Sequence, residues 1–385
     1  MKVVVLGAGM MGSAVAADLA ASEEVSTVIV ADINEENLRA CADADETGKL
    51  AVQKLDVSDT GALLTIMEDA FAAISALAHV FSMGVVSAAI ETGTHLVDLV
   101  GSQPEAKLAL DEKARQSGSA IIPGFGLAPG LTNVLLGRGF SLLDSVDTAV
   151  AKVGGIPQDP EPPLQYRVLY SMESTFNQYV RPSLIVREGE PVWVDALSDL
   201  EVDRYADPMG ECESFVTDGL STLPFTMDLE GVTYMAEKTL RYPGHAAQIQ
   251  TLIDCGLFDT KPVMVQGQPV VPRKVLDGLL APRIMGADSK DVSVLRAEIS
   301  GTTGGARVTH RFDLVDFYDE QKNMTSMART TAFPCAAVIR MLIRGDIPER
   351  GVLAPELIFA DHRYDILMQE IGRRGVIIEH QVLSG

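Results

Sequence analysis

Three glycines and one acid have the clearest chemical spacing in this sequence. Gly7, Gly9 and Gly12 fall in the run Gly7-Ala8-Gly9-Met10-Met11-Gly12, directly after VVVL and directly before an alanine-rich stretch, and Asp32 stands twenty residues beyond Gly12. A chain that turns tightly from strand into helix needs Gly7 at the turn. Gly9 lets the backbone approach a pyrophosphate, and Gly12 lets helix and strand touch. The unpaired amides of a helix starting at Met10 and Met11 then face a negative charge. Asp32 accepts hydrogen bonds from ribose hydroxyls and repels a 2′-phosphate, and the following INEEN has no arginine to receive one, so NAD is favoured over NADP. A tight turn with no ligand is the bland alternative. By the same topology Asp56 and Val57, ending a third strand, lie near an adenine. Ser75, Ala76 and Leu77, ending a fourth, lie near the inner ribose and nicotinamide, with plain strand-end packing as the alternative for each. Other chemistries lack their residues. His95, His310, His362 and His380 have no paired helical spacing for zinc, so no metal site is expected, and no G-x-S-x-G elbow occurs. Cys41, Cys212, Cys255 and Cys335 form no C-x-x-C pair and read as packing residues in a reducing compartment.

The elements that hold these residues show in the hydrophobic pattern. The runs VVVLG (3 to 7), TVIVAD (27 to 32), LAVQKLDV (50 to 57), FAAISAL (71 to 77), THLVDL (94 to 99) and SAIIPG (119 to 124) alternate with helical spacers. That rhythm predicts an α/β Rossmann unit, a doubly wound parallel sheet, over residues 1 to 123. A glycine-rich and proline-rich turn follows, then a helix over about 131 to 140. From about 145 to 320 the strand-like runs TAVAKVGG, LIVREGEPVWV, TYMAEKTLRY, VSVLRAEISG and ARVTHRFDLVDFYDE predict a second α+β domain with a mixed, largely antiparallel sheet. Its span is 124 to 326. Helical periodicity returns from Met327 to Arg344. The PEPP segment and the DSKD run read as solvated loops.

With 385 residues, roughly two to three average domains, a two-domain enzyme is well within reach. A formal charge of -22, from 31 Lys plus Arg against 53 Asp plus Glu, repels phosphate backbones and anionic lipid, so neither nucleic acid nor membrane is an expected partner. Ala70 to Ile90 lacks formal charge, but its many alanines and serines and its acidic flanks argue for a buried strand and helix rather than a span. The apolar start has the outline of a signal peptide, yet the glycine fingerprint explains it better. The expectation is a cytoplasmic protein.

The segments PGFGLAPGLTN (123 to 133), VGGIPQDPEPPLQY (153 to 166), FVTDGLST (215 to 222) and TLRYPGH (239 to 245) resemble the saccharopine dehydrogenase-like superfamily. Within it they are most similar to the L-lysine 6-dehydrogenases. The resemblance runs over most of the chain. It implies a second domain whose sheet also serves dimerisation, a C-terminal segment (327 to 385) folding back on the first domain, and a homodimer or homotetramer. Saccharopine reductases typically carry Asp-Pro-Gly where this chain has Ala128-Pro129-Gly130, and Cys where it has Val153. Loss of both polar groups suits a substrate smaller than saccharopine.

The activity so implied is NAD-dependent oxidation of the ε-amino group of L-lysine to 2-aminoadipate 6-semialdehyde. The alternatives are a saccharopine-type enzyme acting on a secondary amine, or a non-catalytic NAD-responsive sensor. Such oxidation needs a carboxylate anchor, groups for the amines and a neutral amine at hydride transfer. Arg241, at a strand end before Pro-Gly, is the candidate anchor, or a strand-edge arginine in a solvated ion pair. Asp218, in a Thr-Asp-Gly turn, serves an amino group or bonds its own backbone. His245 is a candidate general base, or a helix-start or core histidine. His79 follows the fourth strand and either shapes the site or packs. Tyr166 contacts substrate or plugs the domain interface. Gly154 and Gly155 admit the reactive end of the cofactor or accommodate a turn.

Overall fold

The computed structural model describes residues 1–168, 172–205, 209–285 and 290–384. Its first unit alternates β1 (Lys2–Leu6), β2 (Thr27–Asp32), β3 (Leu50–Lys54), β4 (Ala72–Ser75), β5 (His95–Asp98) and β6 (Ala120–Ile122) with crossover helices such as Met10–Ala20, Glu35–Asp43 and Ser82–Thr92. The second unit holds β7 (Ser145–Pro157), β8 (Ser183–Arg187), β9 (Glu190–Val194), β10 (Glu201–Arg204), β11 (Glu211–Val216), β12 (Tyr234–Arg241), β13 (Val263–Val265), β14 (Gln268–Val270), β15 (Asp291–Thr303) and β16 (Ala306–Phe317). After the long helix Ser326–Arg344 come β17 (Gly351–Val352) and β18 (Glu379–Ser384).

The first sheet is wholly parallel, in the order β17-β6-β5-β4-β1-β2-β3. Helices cover both faces of its centre, so β1 needs apolar side chains on both sides, and Val3 to Leu6 are all fully buried. At the edge, β3 is mostly exposed and stops at Lys54. Asp56 and Val57 therefore lie in the loop beyond it, not at its end as expected. Pairing ends there because Asp56 accepts from the Ser58 amide (2.9 Å) and hydroxyl (2.6 Å), a turn that competes with the ladder. The uncharged stretch from Ala70 to Ile90 supplies β4 and most of the helix Ser82–Thr92. Among the described residues no helix is long and apolar enough to cross a membrane.

The second sheet runs β10-β11-β12-β7-β15-β16-β18, with the β8–β9 hairpin attached to β12. Among the described residues only β7 and β12 pair in parallel there, so the sheet is mixed and mostly antiparallel. Asp291, expected in a solvated run, is buried. It accepts from the Ser326 (2.7 Å) and Met327 (2.8 Å) amides, which the first turn of the long helix leaves unpaired. Asp288 and Ser289 of that run lie outside the described residues. Cys41, Cys212 and Cys335 pack in the interior, whereas Cys255 is exposed.

The long helix ties the two ends of the chain together. Arg340, 2% exposed, reaches Asp18 (2.7 Å) on the first helix and Glu370 (3.2 Å), and Arg374 reaches Asp18 as well (2.5 Å). Removing one partner from such a buried set leaves an uncompensated charge, costing about 3–5 kcal/mol. The C-terminal segment departs from expectation at its last strand. β17 extends the first sheet, but β18 pairs with β16 of the second. β16 otherwise has β15 alone as a neighbour, and its outer backbone groups need partners.

Candidate functional site

At the turn after β1 each glycine has its own physical reason. Gly7 has φ +100°, and a methyl there would stand 2.5 Å from the Ala76 carbonyl oxygen. A methyl at Gly12 would stand 1.8 Å from the Gly7 oxygen, whereas one at Gly9 would meet nothing within 4 Å. The space in front of Gly9 is thus open. Gly9 caps the helix Met10–Ala20 without any side-chain hydrogen bond, so its first amides point outward unpaired, and Met10 is exposed. Asp32 ends β2 beside this loop. One oxygen accepts from the Ala8 amide (2.6 Å) and the other from Asn34 (2.8 Å), while the side chain stays partly exposed. An anion cradle beside a strand-end carboxylate fits a dinucleotide: pyrophosphate on the Gly9–Met11 amides, ribose hydroxyls on Asp32.

The other positions expected to line the cofactor differ in fate. Asp56 is exposed, and its bonds to Ser58 hold its carboxyl below the usual range. Val57 packs on the core behind the sheet. Ser75 ends β4 with its hydroxyl buried and unpartnered, and Ala76 continues the strand through its amide to Leu6 (2.8 Å). Leu77 is half-buried. His79, in a short turn after β4, accepts from the Arg181 guanidinium (3.2 Å), so it bridges the two units.

The second unit contributes a polar strand face. Along β12 the side chains of Glu237, Thr239 and Arg241 fall on one face, opposite Phe215 and Glu213 of β11 and Thr217 just beyond it, whose amide donates to the Glu237 carbonyl (3.2 Å). Arg241 is buried, not solvated. Its guanidinium lies 4.3 Å from the Tyr166 ring centre and donates to the Leu240 carbonyl (2.8 Å). Tyr166 is buried beneath it, edge-on to His245 at 5.5 Å. His245 does not hold as a general base. Nδ1 donates to the Leu164 carbonyl (3.0 Å), Nε2 accepts from Tyr179 (3.0 Å), and burial beside Arg241 lowers its pKa to about 3. No lone pair remains for a substrate proton. Gly154 is required by packing, since a methyl there would stand 2.4 Å from the Leu240 oxygen; Gly155 is buried opposite Ser293 of β15.

Asp218 follows β11 and opens to solvent. It does not bond its own turn. Its oxygen meets the Leu184 amide at 3.4 Å, and the protein around it raises its carboxyl above the ordinary range. The loop carrying it is held against the carboxyl edge of the first sheet. Ser221 donates to the Gly101 carbonyl (3.1 Å), Asn133 to Leu220 (3.0 Å), and Thr222 to the buried Glu356 (2.9 Å). Gly101 and Gly124 make this contact possible, because methyls there would stand 2.3 Å from Pro129 and 2.9 Å from Ser221. Ser221 at Gly101 and Arg181 at His79 thus bring the Asp218 loop to the carboxyl edge of the first sheet, the edge that also carries the glycine turn.

Sequence reasoning missed Glu237. It is 5% exposed, and its carboxyl rests on Gly219, where a methyl would stand 1.3 Å from Oε2. Burial first, then the charge of Asp218, raise its pKa to about 8 against the opposing effects of Arg241 and Thr217. The available signal was a glutamate inside the strand-like run TYMAEKTLRY, four residues before Arg241 and hence on the same face. Among the described residues no three His, Cys, Asp or Glu side chains gather as a metal site.

Residues 3–122 match the family described as saccharopine dehydrogenase NADP binding domain, and residues 126–376 that described as saccharopine dehydrogenase C-terminal domain. The chain is similar to the NADP(+), L-glutamate-forming saccharopine dehydrogenase of Saccharomyces cerevisiae, at 22% identity over 100% of this chain and 99% of the yeast protein. It is also 20% identical to the mitochondrial alpha-aminoadipic semialdehyde synthase of Rattus norvegicus over 99% of this chain, spanning 48% of that protein, about half its length. The apo structure of histidine-tagged saccharopine dehydrogenase (L-Glu forming) from Saccharomyces cerevisiae aligns with a TM-score of 0.82 at 20% identity, covering 99% of both chains. That likeness is one of fold.

Proposed function

The chain belongs to the saccharopine dehydrogenase family, and from that premise we propose that it oxidises the ε-amino group of L-lysine with NAD. The products are 2-aminoadipate 6-semialdehyde, which closes to 1-piperideine-6-carboxylate, together with ammonia and NADH. One observation carries the reading: Arg241 and Glu237 share one face of β12, and Glu237 lies beside Asp218, whose loop is held against Gly101 at the carboxyl edge of the first sheet. A guanidinium anchors the substrate carboxylate and the acids receive an ammonium. The side chains of Ala128 and Val153, the latter packed in the core, supply no polar group for a second amino acid moiety. A bound dinucleotide supplies the hydride acceptor. Overall, R–CH2–NH3⁺, NAD⁺ and water give R–CHO, NADH, NH4⁺ and H⁺.

The preference for NAD rests on Asp32, with Glu35 and Glu36 just beyond it and Lys54 occupied by Glu35 at 2.6 Å. The relatives' names carry NADP, so cofactor choice is a point on which this chain is proposed to differ. A second reading, saccharopine oxidation with NADP, is favoured by the nearly full-length likeness to the yeast enzyme. L-lysine, D-lysine, ornithine, saccharopine and diamines, each tried with NAD and NADP, separate the two. The expected result is the highest kcat/KM for L-lysine with NAD. Saccharopine turnover with NADP transfers the chain to the second reading, and reduction by none of them removes both.

A further inference from the structure

The reaction needs a group that takes a proton from the substrate ammonium, and His245 is in no position to do so. Of the carboxyls near Arg241, Glu237 has the unusual surroundings. It is nearly sealed by protein, yet it lies over Gly219 and so next in the fold to Asp218, which is exposed to solvent. It shares a strand face with Arg241, the candidate carboxylate anchor, and Thr217, just beyond β11, stands opposite it. We infer that Glu237 and Asp218 act as one coupled carboxyl pair that receives the substrate's amino group, with Glu237 taking the amine's proton. The inference rests on the amine-oxidation reading and names the acid–base group within it.

Burial of Glu237, and then the negative charge of Asp218 beside it, disfavour its ionisation, so in the absence of substrate the pair keeps one proton, consistent with the elevated pKa of about 8 at Glu237. The charged groups around it are Asp218 on the loop, Arg241 on its own strand and Arg181 facing Asp218; Lys238 points to the opposite side of the sheet, toward Glu201. An arriving ammonium stabilises both carboxylates and expels the resident proton to solvent. The ammonium N–H bond then breaks toward the Glu237 oxygen: R–CH2–NH3⁺ plus carboxylate gives R–CH2–NH2 plus carboxylic acid. The nitrogen lone pair so freed is the one that drives hydride departure from the neighbouring carbon.

The test is binding of L-lysine to the NADH-loaded protein by calorimetry at pH 7 in phosphate and in Tris, whose different ionisation heats report protons released. It is run on the native protein, Glu237→Gln and Gly219→Ala, alongside steady-state kinetics. The expected result is close to one proton released per lysine by the native protein and none by Glu237→Gln. Its kcat/KM should fall at least about a hundredfold, with NADH affinity unchanged as evidence of an intact fold. Gly219→Ala, which displaces the carboxyl without altering it, should behave alike. Equal proton release by native and Glu237→Gln proteins, or kcat/KM within threefold, overturns the role of Glu237 and leaves the amine-oxidation reading standing. Proton release through Glu237 with no amine oxidised overturns that reading and supports the pair as an amine receptor. Failure of lysine to bind at all overturns both.

Discussion

Gly9, the cap of the first helix, and Gly12, in its first turn, stand three residues apart, and their missing side chains serve different ends. The space at Gly9 is empty, while that at Gly12 is filled by backbone oxygen 1.8 Å from where a methyl would sit. Gly9→Ala should therefore leave the urea midpoint nearly unchanged while weakening NAD binding about tenfold or more, read by fluorescence titration, because the new methyl enters the cradle. Gly12→Ala should cost at least about 2 kcal/mol in the same urea experiment, since the clash exceeds the roughly 1 kcal/mol that alanine gains over glycine in a helix. Loss of binding without loss of stability in Gly12→Ala would contradict this division. These glycines and Asp32 are legible in sequence because their roles are set within one strand-turn-helix. Glu237 is not, because what matters about it, the contact with Gly219 and Asp218, is made by a loop eighteen residues away along the chain. His245 misleads for the related reason that its ordinary pKa suggests a base, whereas burial and two hydrogen bonds remove that capacity.

At the level of strands and helices, two histidines sit at joints. His95 begins β5 and accepts from the Ala120 amide of β6 (3.0 Å), and His245 begins the helix Gly244 caps. Burial lowers them to about 4 and about 3, against about 6.5 in an unfolded chain. Between pH 6.5 and pH 4 the unfolded chain thus binds more protons than the folded one. Stability from these groups is complete above about pH 7 and falls as pH drops, each losing of order 3 kcal/mol by pH 4. The carboxyls raised by burial, such as Glu237, act in the opposite sense, so the native curve alone is ambiguous. The decisive comparison is the urea midpoint of native protein and His95→Asn from pH 7 to pH 5. The native protein should fall more steeply, and parallel curves would remove His95 from the account. The elements themselves were legible wherever burial on both faces demanded unbroken apolar runs, as in β1, β4 and β6. β3 ended earlier than its apolar pattern suggested, since at an exposed edge a side-chain turn at Asp56 competes on equal terms with the ladder.

For the molecule as a whole, the charge of -22 acts as a distributed repulsion. Charges on separate faces lie farther apart than a Debye length only when salt is present, about 10 Å at 0.1 M. Raising sodium chloride from about 20 mM to about 200 mM should therefore increase the melting temperature by a few degrees, measured by differential scanning calorimetry. A fall would mean that local pairs such as Arg344 with Glu24 and Glu370 outweigh the global term. Charge and size were readable from composition. The path of the C-terminal segment was only half readable: the return to the first unit follows from the resemblance, but the crossing of β18 depends on an open edge that no local pattern announces.

That crossing makes the two halves mutually dependent in assembly. The seventh strand of one sheet and the outermost strand of the other both come from the polypeptide after the long helix, within a few dozen residues of each other. A protease nick in the connection after β6 would consequently release no self-sufficient fragment, only a cleaved particle still clasped together. Grafting one half onto a relative would mean exchanging separate pieces of chain, not a single contiguous block.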